Sequence, residues 1–276
     1  MKGKQSVQIN IQKITDSKLS EMDDMVVVEE PLEISLEYSS SNGRIKKNIA
    51  ITMRTPGNDE ELAAGFLFTE GIIKSNKDIK AIRKTAIDEN SLLVTLEEGT
   101  MPNLANAARN FYSTSSCGIC GKTSIEAIQT ISAFKTVNNN FCVTAAIIYN
   151  LPLLLQKQQN IFEDTGGIHA AALFDTDGKF LLLKEDVGRH NALDKVIGTC
   201  LLKNKLPMQN NILFLSGRAG FELIQKAAMA GISMVVAIGA PSSLAVELAQ
   251  ENNITLIGFL RKQRFNIYAG KQRICL

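Results

Sequence analysis

The sequence predicts an α/β protein in which a larger C-terminal α/β domain follows a smaller N-terminal α+β domain. In the second half of the chain, short apolar runs typical of buried strands alternate with helical stretches, from residues 181–183 to residues 254–260. This alternation with short connections favours a sheet that is at least partly parallel and covered on both faces. Residues 26–98 instead show the order ββαββ, which is typical of a compact α+β module.

The length and composition set the class of protein. A chain of 276 residues forms one large domain or two modest ones. Its 45% of apolar and 21% of charged residues are close to the globular average, which excludes disorder as the main state. With a net charge of +2, no nucleic-acid partner is expected. No apolar run is long enough to span a bilayer and the N-terminus lacks a secretory signal, so we expect a cytoplasmic protein without a membrane partner.

We divide the chain into three parts. They are a flexible N-terminal arm (residues 1–25), a small α+β domain (residues 26–112) and an α/β domain (residues 113–276). The helix of the small domain is predicted to begin at Asn58 as its N-cap, with Glu61 completing a capping box. A short helix at residues 102–112 leads to the boundary.

Five cysteines are present, and in a chain without an export signal a disulfide scaffold is not expected. Cys142 and Cys200 lie in apolar segments and are predicted to be small buried side chains. Cys275, next to the end of the chain, carries no expected role. Only Cys117 and Cys120 are paired by their spacing.

The segment SSCGICGKTS, which holds this pair, is the sharpest local signal. A helix starting near Lys122 would direct its N–H groups at the loop, and both the helix and the lysine favour thiolate over thiol. A zinc site would have to recruit further ligands such as His169 or His190, since one pair of cysteines supplies only two. A thioredoxin-like redox pair needs a preceding βαβ pattern that is not present. The pair is therefore a candidate for reactive thiol chemistry.

Further polar residues follow the predicted strands of the second half. His169 stands after a glycine turn, at the head of an apolar run, where a structural histidine is an equally good interpretation. Arg189 and His190 lie in the loop EDVGRHN, and Ser216 and Arg218 lie in the loop SGRAG. GAPSS and FLRKQR follow the next two strands in the same way.

These loops predict a binding site for an anion. In open α/β sheets, ligands bind beyond the carboxyl ends of the strands. Helix N-termini there hold phosphate groups, and arginine or lysine neutralises them. Four such loops in one sheet indicate a large ligand with several phosphates, similar to a nucleotide.

Six of these segments together resemble a known family. They are SSCGICG, TGGIHAAALFD, EDVGRHNALDKVIG, SGRAGFELIQKAAMAG, GAPSSLAVELA and TLIGFLRKQRFNIYAG. In this order they are similar to the formate dehydrogenase accessory sulfurtransferases, the FdhD/NarQ family. The N-terminal segment TPGNDEELAAGFLFTEGII is also similar, so the resemblance runs from about residue 26 to the end.

The resemblance implies a sulfur carrier. Such proteins take sulfur from a cysteine desulfurase as a cysteine persulfide. They pass it to the molybdenum cofactor, bis(molybdopterin guanine dinucleotide), before the cofactor enters formate dehydrogenase. Carried over to this chain, Cys117 is the persulfide residue and Cys120 assists. The cofactor-binding stretch falls on Phe259, Leu260, Arg261, Lys262, Gln263 and Arg264. The strand-end residues His169, Arg189, His190, Ser216 and Arg218 are additional candidates for this site.

The resemblance also implies a cytidine deaminase-like fold for the larger domain and a homodimer. Deaminase chemistry and a resident metal are not expected, because the required His-x-Glu pattern is broken: the residue two after His169 is Ala171. Two other classes of function stay open. One is a redox-switched chaperone that binds the molybdenum cofactor without sulfur transfer, and the other is a zinc-dependent hydrolase.

Overall fold

The computed structural model describes residues 5–41, 43–85, 89–104, 134, 141–158, 161 and 165–276. The strands are β1 (Ser6–Thr15), β2 (Lys18–Val27), β3 (Glu30–Ser40), β4 (Gly43–Arg54), β5 (Ile79–Lys84), β6 (Ser91–Leu96), β7 (Val143–Thr144), β8 (His169–Asp175), β9 (Phe180–Asp186), β10 (Asn211–Leu215), β11 (Met234–Ala237), β12 (Thr255–Arg261), β13 (Arg264–Ala269) and β14 (Ile274–Cys275). The helices are α1 (Asp59–Thr69), α2 (Ala145–Gln156), α3 (Arg189–Leu202), α4 (Phe221–Met229) and α5 (Ser243–Glu251), with short 3-10 turns at Asn76–Asp78 and Lys271–Arg273.

A six-stranded sheet forms the second half of the molecule, in the order β13-β12-β11-β10-β8-β9. Strands β10, β11 and β12 are parallel to one another, whereas β8, β9 and β13 run antiparallel to their neighbours. The prediction of an α/β protein with a partly parallel sheet is therefore confirmed. The division into domains and the similarity to the deaminase fold stay predictions.

Alternating residues of the sheet enter two cores. On one face, Leu173, Leu213 and Val235 pack with the buried sides of α3, α4 and α5. On the other face, Phe174 and Phe214 pack with α2. This is the two-sided coverage expected for buried parallel strands.

The N-terminal half contains a four-stranded sheet in the order β4-β3-β6-β5, with α1 packed against it. This confirms the predicted ββαββ order. Asn58 is the N-cap of α1 but adopts a left-handed backbone with φ of 57°, and its side chain makes no capping bond. Its amide donates instead to Glu61 Oε1 at 3.2 Å. The core of this half is continuous with the core under α3, α4 and α5.

Helices α1 and α3 cross at two facing glycines. A Cβ added to Gly65 would overlap the carbonyl oxygen of Asp194, and one added to Gly198 would overlap the carbonyl oxygen of Glu61. The two backbones therefore touch directly, which only residues without a side chain allow. This contact joins the two halves of the chain.

A buried ion pair lies beside the same crossing. Lys226 on α4 contacts Asp194 on α3 at 2.9 Å and donates to Thr69 at the end of α1 at 2.9 Å. Burial lowers the pKa of Lys226, but the carboxylates of Asp194 and Glu70 more than offset this, so its net direction is upward. A charged lysine thus links three helices inside the core.

Residues 1–25 differ from the prediction of an arm without regular structure. From Ser6 onward they form an antiparallel hairpin of β1 and β2, paired from Ser6 with Val27 to Thr15 with Lys18. The signal was present in the alternation of Val7, Ile9 and Ile11, but the mixed charges around these residues hid it.

The expectations for two cysteines were wrong. Cys142 and Cys275 form a disulfide between residues 133 positions apart, with Cα atoms separated by 5.8 Å. Strands β7 and β14 pair in parallel beside them, which brings the end of the chain to the start of α2. Sequence spacing cannot show such a contact because tertiary folding creates it. Cys200 is free and buried, as predicted.

Some predictions fall outside the described residues. These include most of the helix at residues 102–112 and the helix expected near Lys122. Within the described part of the chain, no helix combines the length and apolar character needed to cross a membrane.

We predict that Gly198→Ala lowers the free energy of unfolding by about 1–3 kcal/mol, the usual range for overpacking. The sign of this change in unfolding free energy is diagnostic. In an unhindered helix, alanine is more favourable than glycine by about 1 kcal/mol, so the same substitution would raise the stability. Urea unfolding of both proteins measures the change.

Gly167→Ala is the matched control, because a Cβ there would approach no atom closer than 3.7 Å. Its unfolding free energy should stay within about 0.5 kcal/mol of the parent. A Gly198→Ala protein as stable as the parent would contradict the close helix contact.

Candidate functional site

The predicted strand-end loops meet at one edge of the six-stranded sheet. The parallel strands β10, β11 and β12 all end there. Strand β8 runs antiparallel to that set and therefore begins at this edge, whereas β9 runs antiparallel to β8 and therefore ends there, with His169 opposite Asp186. The topology thus assembles segments that are as much as 95 residues apart in sequence, from His169 to Arg264.

The loop after β9 is fixed by the N-terminal half. Thr55 makes three hydrogen bonds to it and to α3. Its N–H donates to Asp186 Oδ2 at 3.2 Å, and its hydroxyl accepts from the N–H of Val187 at 3.1 Å. Its carbonyl accepts from Lys195 Nζ at 2.9 Å. Thr55 is itself fully buried, so this clamp is shielded from water.

The carboxylate of Asp186, at the end of β9, also fixes this loop. Its buried carboxylate contacts Lys195 Nζ at 2.6 Å. It also accepts hydrogen bonds from the N–H of Gly188 at 2.8 Å and from the amide of Asn191 at 3.1 Å. The Asn191 amide in turn donates to the carbonyl of Met53 at 2.8 Å. These bonds fix the start of α3, where Arg189 and His190 are placed.

His190 contacts Glu222 on α4, with Nε2 and Oε2 2.9 Å apart. Its Nδ1 atom and the Nε atom of Arg189 are buried and have no hydrogen-bond partner among the residues that the structure describes. Buried polar atoms are normally paired, so these two positions favour an additional hydrogen-bonding group in this region.

His169 is half-buried on the neighbouring strand, with its ring next to Gly217. A Cβ on Gly217 would lie 3.4 Å from His169 Nδ1. Burial lowers the pKa of His169, and the nearby positive charge of Arg189 lowers it further. Asp186 has the opposite, smaller effect. The imidazole is therefore neutral at pH 7 in the absence of an anion.

The loops after β10 and β11 interlock through their backbones. The N–H of Ala219 donates to the carbonyl of Ala240 at 3.1 Å, and the N–H of Gly239 donates to the carbonyl of Gly217 at 3.0 Å. A Cβ on Gly239 would lie 2.9 Å from the backbone of Arg218, so glycine is required for this approach.

Ser216 and Arg218 have different positions in this region. The Ser216 hydroxyl accepts a hydrogen bond from the N–H of Ala170 at 2.8 Å, so it ties β8 to the end of β10. Arg218 is exposed in the loop between β10 and α4. Of these two predicted residues, Arg218 presents its charge to solvent.

The segment FLRKQR forms the end of β12, the turn and the start of β13 in an antiparallel hairpin. A bulge between Gly258 and Arg261 places Phe259 in a left-handed conformation with φ of 53° and leaves it 43% exposed. Such a conformation is uncommon for an aromatic residue and marks a constrained site. Leu260 is buried in the core, and Lys262 and Gln263 are exposed at the turn.

A cleft of about 260 Å³ opens on this hairpin, lined by Phe259, Arg261, Arg264 and Asn266. Arg261 is held in place because its Nη1 donates to the carbonyls of Ile238 and Leu260, each at 2.8 Å. Asn266 was not among the predicted residues, since a ligand-facing amide within a strand has no sequence signature.

Sequence reasoning also missed Thr55 and Glu222, which act through tertiary contacts. Cys117 and Cys120 lie outside the described residues, so the structure does not place them. Among the residues that are described, no three His, Cys, Asp or Glu side chains are grouped to hold a metal ion.

The edge is suited to bind an anion. Arg189, Arg218, Arg261 and Arg264 are all at this end of the sheet, and none has a carboxylate partner within the described ranges. The N-termini of α3, α4 and α5 lie at the same edge and add positive potential.

Comparisons with known proteins agree with this architecture. The family model described as FdhD/NarQ family matches residues 27–275. A sulfur carrier protein FdhD of Picrophilus torridus is 50% identical over 251 residues, covering 91% of this chain and 92% of that protein. One from Mycolicibacterium paratuberculosis is 48% identical over 256 residues, covering 90% and 91%.

Among solved structures, a crystal structure from Desulfotalea psychrophila, described as a putative formate dehydrogenase accessory protein, superposes with a TM-score of 0.75. It is 26% identical in sequence, and the match covers 99% of this chain and 100% of that one. The chain therefore belongs to the FdhD/NarQ family.

Proposed function

We propose that this protein is a sulfur carrier for the maturation of formate dehydrogenase. It accepts sulfur from a cysteine desulfurase as a persulfide on Cys117 and transfers it to bis(molybdopterin guanine dinucleotide)-molybdenum. Relatives that match this chain over more than 90% of their own length are named sulfur carrier proteins. The structural neighbour is described as a putative formate dehydrogenase accessory protein. This naming supports the sulfur-carrier role of the chain.

The positive edge of the six-stranded sheet is the observation that supports the cofactor as the acceptor of the sulfur. Four arginines that have no carboxylate partner in the described part of the chain lie with the N-termini of three helices there, beside a cleft with an exposed aromatic ring. A dinucleotide offers phosphates to the arginines and a planar base to the ring, and guanidinium groups bind phosphate with two hydrogen bonds. The negative charge of such a ligand is complementary to these arginines, which supports the proposal.

The first step is a thiol–persulfide exchange. The Cys117 thiolate attacks the terminal sulfur of the donor's persulfide, an S–S bond forms on Cys117, and the donor's S–S bond breaks. The donor cysteine leaves as a thiolate, so no external oxidant is needed. Cys120, three residues further on, assists the exchange.

In the second step the S–S bond of the Cys117 persulfide would break, the outer sulfur would pass to the bound cofactor, and Cys117 would be left as a thiolate. The two electrons that convert this sulfur to a sulfido ligand would come from a reduced molybdenum centre of the cofactor, which is the substrate. The strand-end loops are rigid because Thr55, Asp186 and Lys195 fix the first of them and backbone bonds interlock the next two. A fixed anion site lets proximity supply most of the rate advantage, since the reacting groups no longer have to meet from solution.

We predict that incubation with a cysteine desulfurase and cysteine adds about 32 Da, one sulfur atom, to Cys117. Cys117→Ala should remain unmodified because the nucleophile is missing. Intact-protein mass spectrometry followed by peptide mapping measures the addition.

Cys200→Ala is the matched control, because this thiol is buried and its pKa is raised by burial, so it is not expected to accept sulfur. Sulfur on Cys200 and not on Cys117 would refute the assignment. Ligand binding without any sulfur uptake would instead favour the redox-switched chaperone.

We predict that Arg261→Ala combined with Arg264→Ala weakens the binding of GDP by ten-fold or more, because each lost charge-assisted hydrogen bond contributes about 1.5–3 kcal/mol. Titration calorimetry measures the affinity. Arg44→Ala, which removes an exposed arginine on β4, serves as the control and should bind GDP like the parent. Unchanged GDP binding in the double variant would show that the β12–β13 hairpin is not part of the binding site.

We predict that GDP binding is coupled to proton uptake by His169. The free protein holds this group neutral because its pKa is lowered. A bound polyanion stabilises the imidazolium, so the pKa rises on binding and affinity increases as the pH falls from 8 towards 6.

The matched comparison is His169→Asn. GDP's own phosphate also titrates near pH 6, but the ratio of the two affinities cancels this effect. The ratio of parent to variant affinity should grow several-fold over this range, at most about ten-fold per pH unit. A ratio that does not depend on pH would exclude His169 from the anion site.

A further inference from the structure

The disulfide between Cys142 and Cys275 ties the end of the chain to the start of α2. Beside it, β7 and β14 pair over only two residues each, with Ile274 opposite Val143 and Cys275 opposite Thr144. Thr144 is also the N-cap of α2, because its hydroxyl accepts a hydrogen bond from the first turn of the helix. Two strands paired over so short a length are not stable alone, so this attachment depends on the S–S bond. We refer to the disulfide together with β7 and β14 as the C-terminal crosslink.

The C-terminal crosslink is accessible to small thiols. Cys142 is exposed and Cys275 is half-buried, whereas the free thiol of Cys200 is buried. Reduction begins when a thiolate reaches one of the two sulfurs, and exposed disulfides are commonly the labile or regulatory ones. The position of this bond therefore favours reversible reduction over a purely structural role.

A buried positive charge lies beside the two cysteines. Arg273, two residues before Cys275, is only 2% exposed. Its guanidinium lies over the ring of Phe141, which precedes Cys142, with Cζ 5.8 Å from the ring centroid. Its Nη1 donates to the hydroxyl of Thr255 at 3.2 Å, and it forms no ion pair with any residue in the described ranges. A cation near a cysteine favours the thiolate, which is the form that attacks a disulfide, so the reduced pair is suited to close again.

Helix α2 connects the C-terminal crosslink to the candidate binding site. Tyr149 on α2 packs against Phe265 on β13, with ring centroids 5.4 Å apart. The two neighbours of Phe265 in the chain, Arg264 and Asn266, both line the cleft on the β12–β13 hairpin. At its other end, β13 continues through the 3-10 turn Lys271–Arg273 into β14. The crosslink therefore supports β13 near its start through α2 and at its end through β14.

We propose that the C-terminal crosslink is a thiol–disulfide switch that regulates anion binding at the β12–β13 hairpin. With the S–S bond intact, α2 and β14 hold β13 in the arrangement that presents Arg264 and Asn266 to the cleft. After reduction, the chain end and the start of α2 can separate, and β13 loses part of this support. A preordered site binds more tightly because less conformational freedom is lost on binding. The oxidised protein is therefore the form with the higher affinity, and this regulation rests on the anion site of the proposed function.

The reagent for the switch is a low-molecular-weight thiol or the corresponding disulfide. In the reduction, a thiolate attacks the sulfur of Cys142, the protein S–S bond breaks, and Cys275 leaves as a thiolate. A second thiolate attacks the resulting mixed disulfide and releases Cys142. The protein gains two electrons and two protons, and two small thiols are oxidised to one small disulfide. Oxidation of the protein by the small disulfide is the reverse of these two exchanges.

Mixtures of reduced and oxidised glutathione test the reversibility of the crosslink in the folded protein. Free thiols are trapped with iodoacetamide and located by peptide mass spectrometry. Cys142 and Cys275 should become alkylated together after reduction and should be protected together after re-oxidation. Cys200 should stay unmodified in both states because it is buried.

Titration calorimetry with GDP on the full chain tests the regulation. The reduced parent should bind GDP about five-fold more weakly than the oxidised parent, a coupling at the lower end of the usual range. Cys142→Ser should bind GDP like the reduced parent under both conditions. Any effect of the remaining cysteines persists in this variant, so the comparison isolates the crosslink. Cys200→Ser is the matched control, because it removes a thiol outside the crosslink and should keep the redox effect.

Tyr149→Leu tests the connection between the crosslink and the cleft. This variant keeps an apolar side chain on α2 but loses the contact with the ring of Phe265. It should retain the reversible disulfide, while the redox effect on GDP affinity should fall below about two-fold. In the parent, reduction should also speed the hydrogen exchange of the β13 amides, because the strand is less firmly held.

Three results would overturn the proposal. They are a disulfide that stays intact in excess reduced glutathione, equal GDP affinity of the oxidised and reduced parent, and hydrogen exchange at β13 that does not change on reduction. A protein that binds GDP in neither form would overturn the switch together with the anion site. Equal binding in both forms would overturn the switch alone, so the two failures are distinguishable.

Discussion

The direct contact between α1 and α3 is the constraint on which the rest of the structure depends. Gly65 and Gly198 allow the two helix backbones to touch, and larger side chains would hold them apart. Glycine in a helix costs about 1 kcal/mol relative to alanine. That cost is offset because the contact joins the core of the N-terminal half to the core under the six-stranded sheet.

Two buried lysines connect the helix crossing to the loop that follows β9. Lys226 connects Asp194 and Thr69 beside the helix crossing, and Lys195 connects Asp186 with the carbonyl of Thr55. Removing one member of such a pair leaves an uncompensated buried charge, which typically costs 3–5 kcal/mol. The N-terminal half therefore positions the loop that starts α3.

The positive edge shows how topology creates a binding surface from weak local signals. Each strand-end loop alone is an ordinary glycine turn, and any α/β protein has several. Parallel pairing of β10, β11 and β12 brings their carboxyl ends to one side, and the antiparallel β8 and β9 add His169 and the loop before α3. The resulting group of arginines, which have no carboxylate partner among the described residues, favours a ligand with several negative charges.

The sequence by itself determined the family and many of the elements after residue 26, because the periodicity of apolar residues and long local motifs are properties of neighbouring positions. It predicted the ββαββ order, the alternating strands and helices, and the strand-end candidates from His169 to Arg264. Only the tertiary structure decided the clamp on Thr55, the His190–Glu222 pair and the disulfide between Cys142 and Cys275. These contacts join residues from 32 to 140 positions apart, and no local pattern encodes which distant groups will meet when the sheet and helices pack.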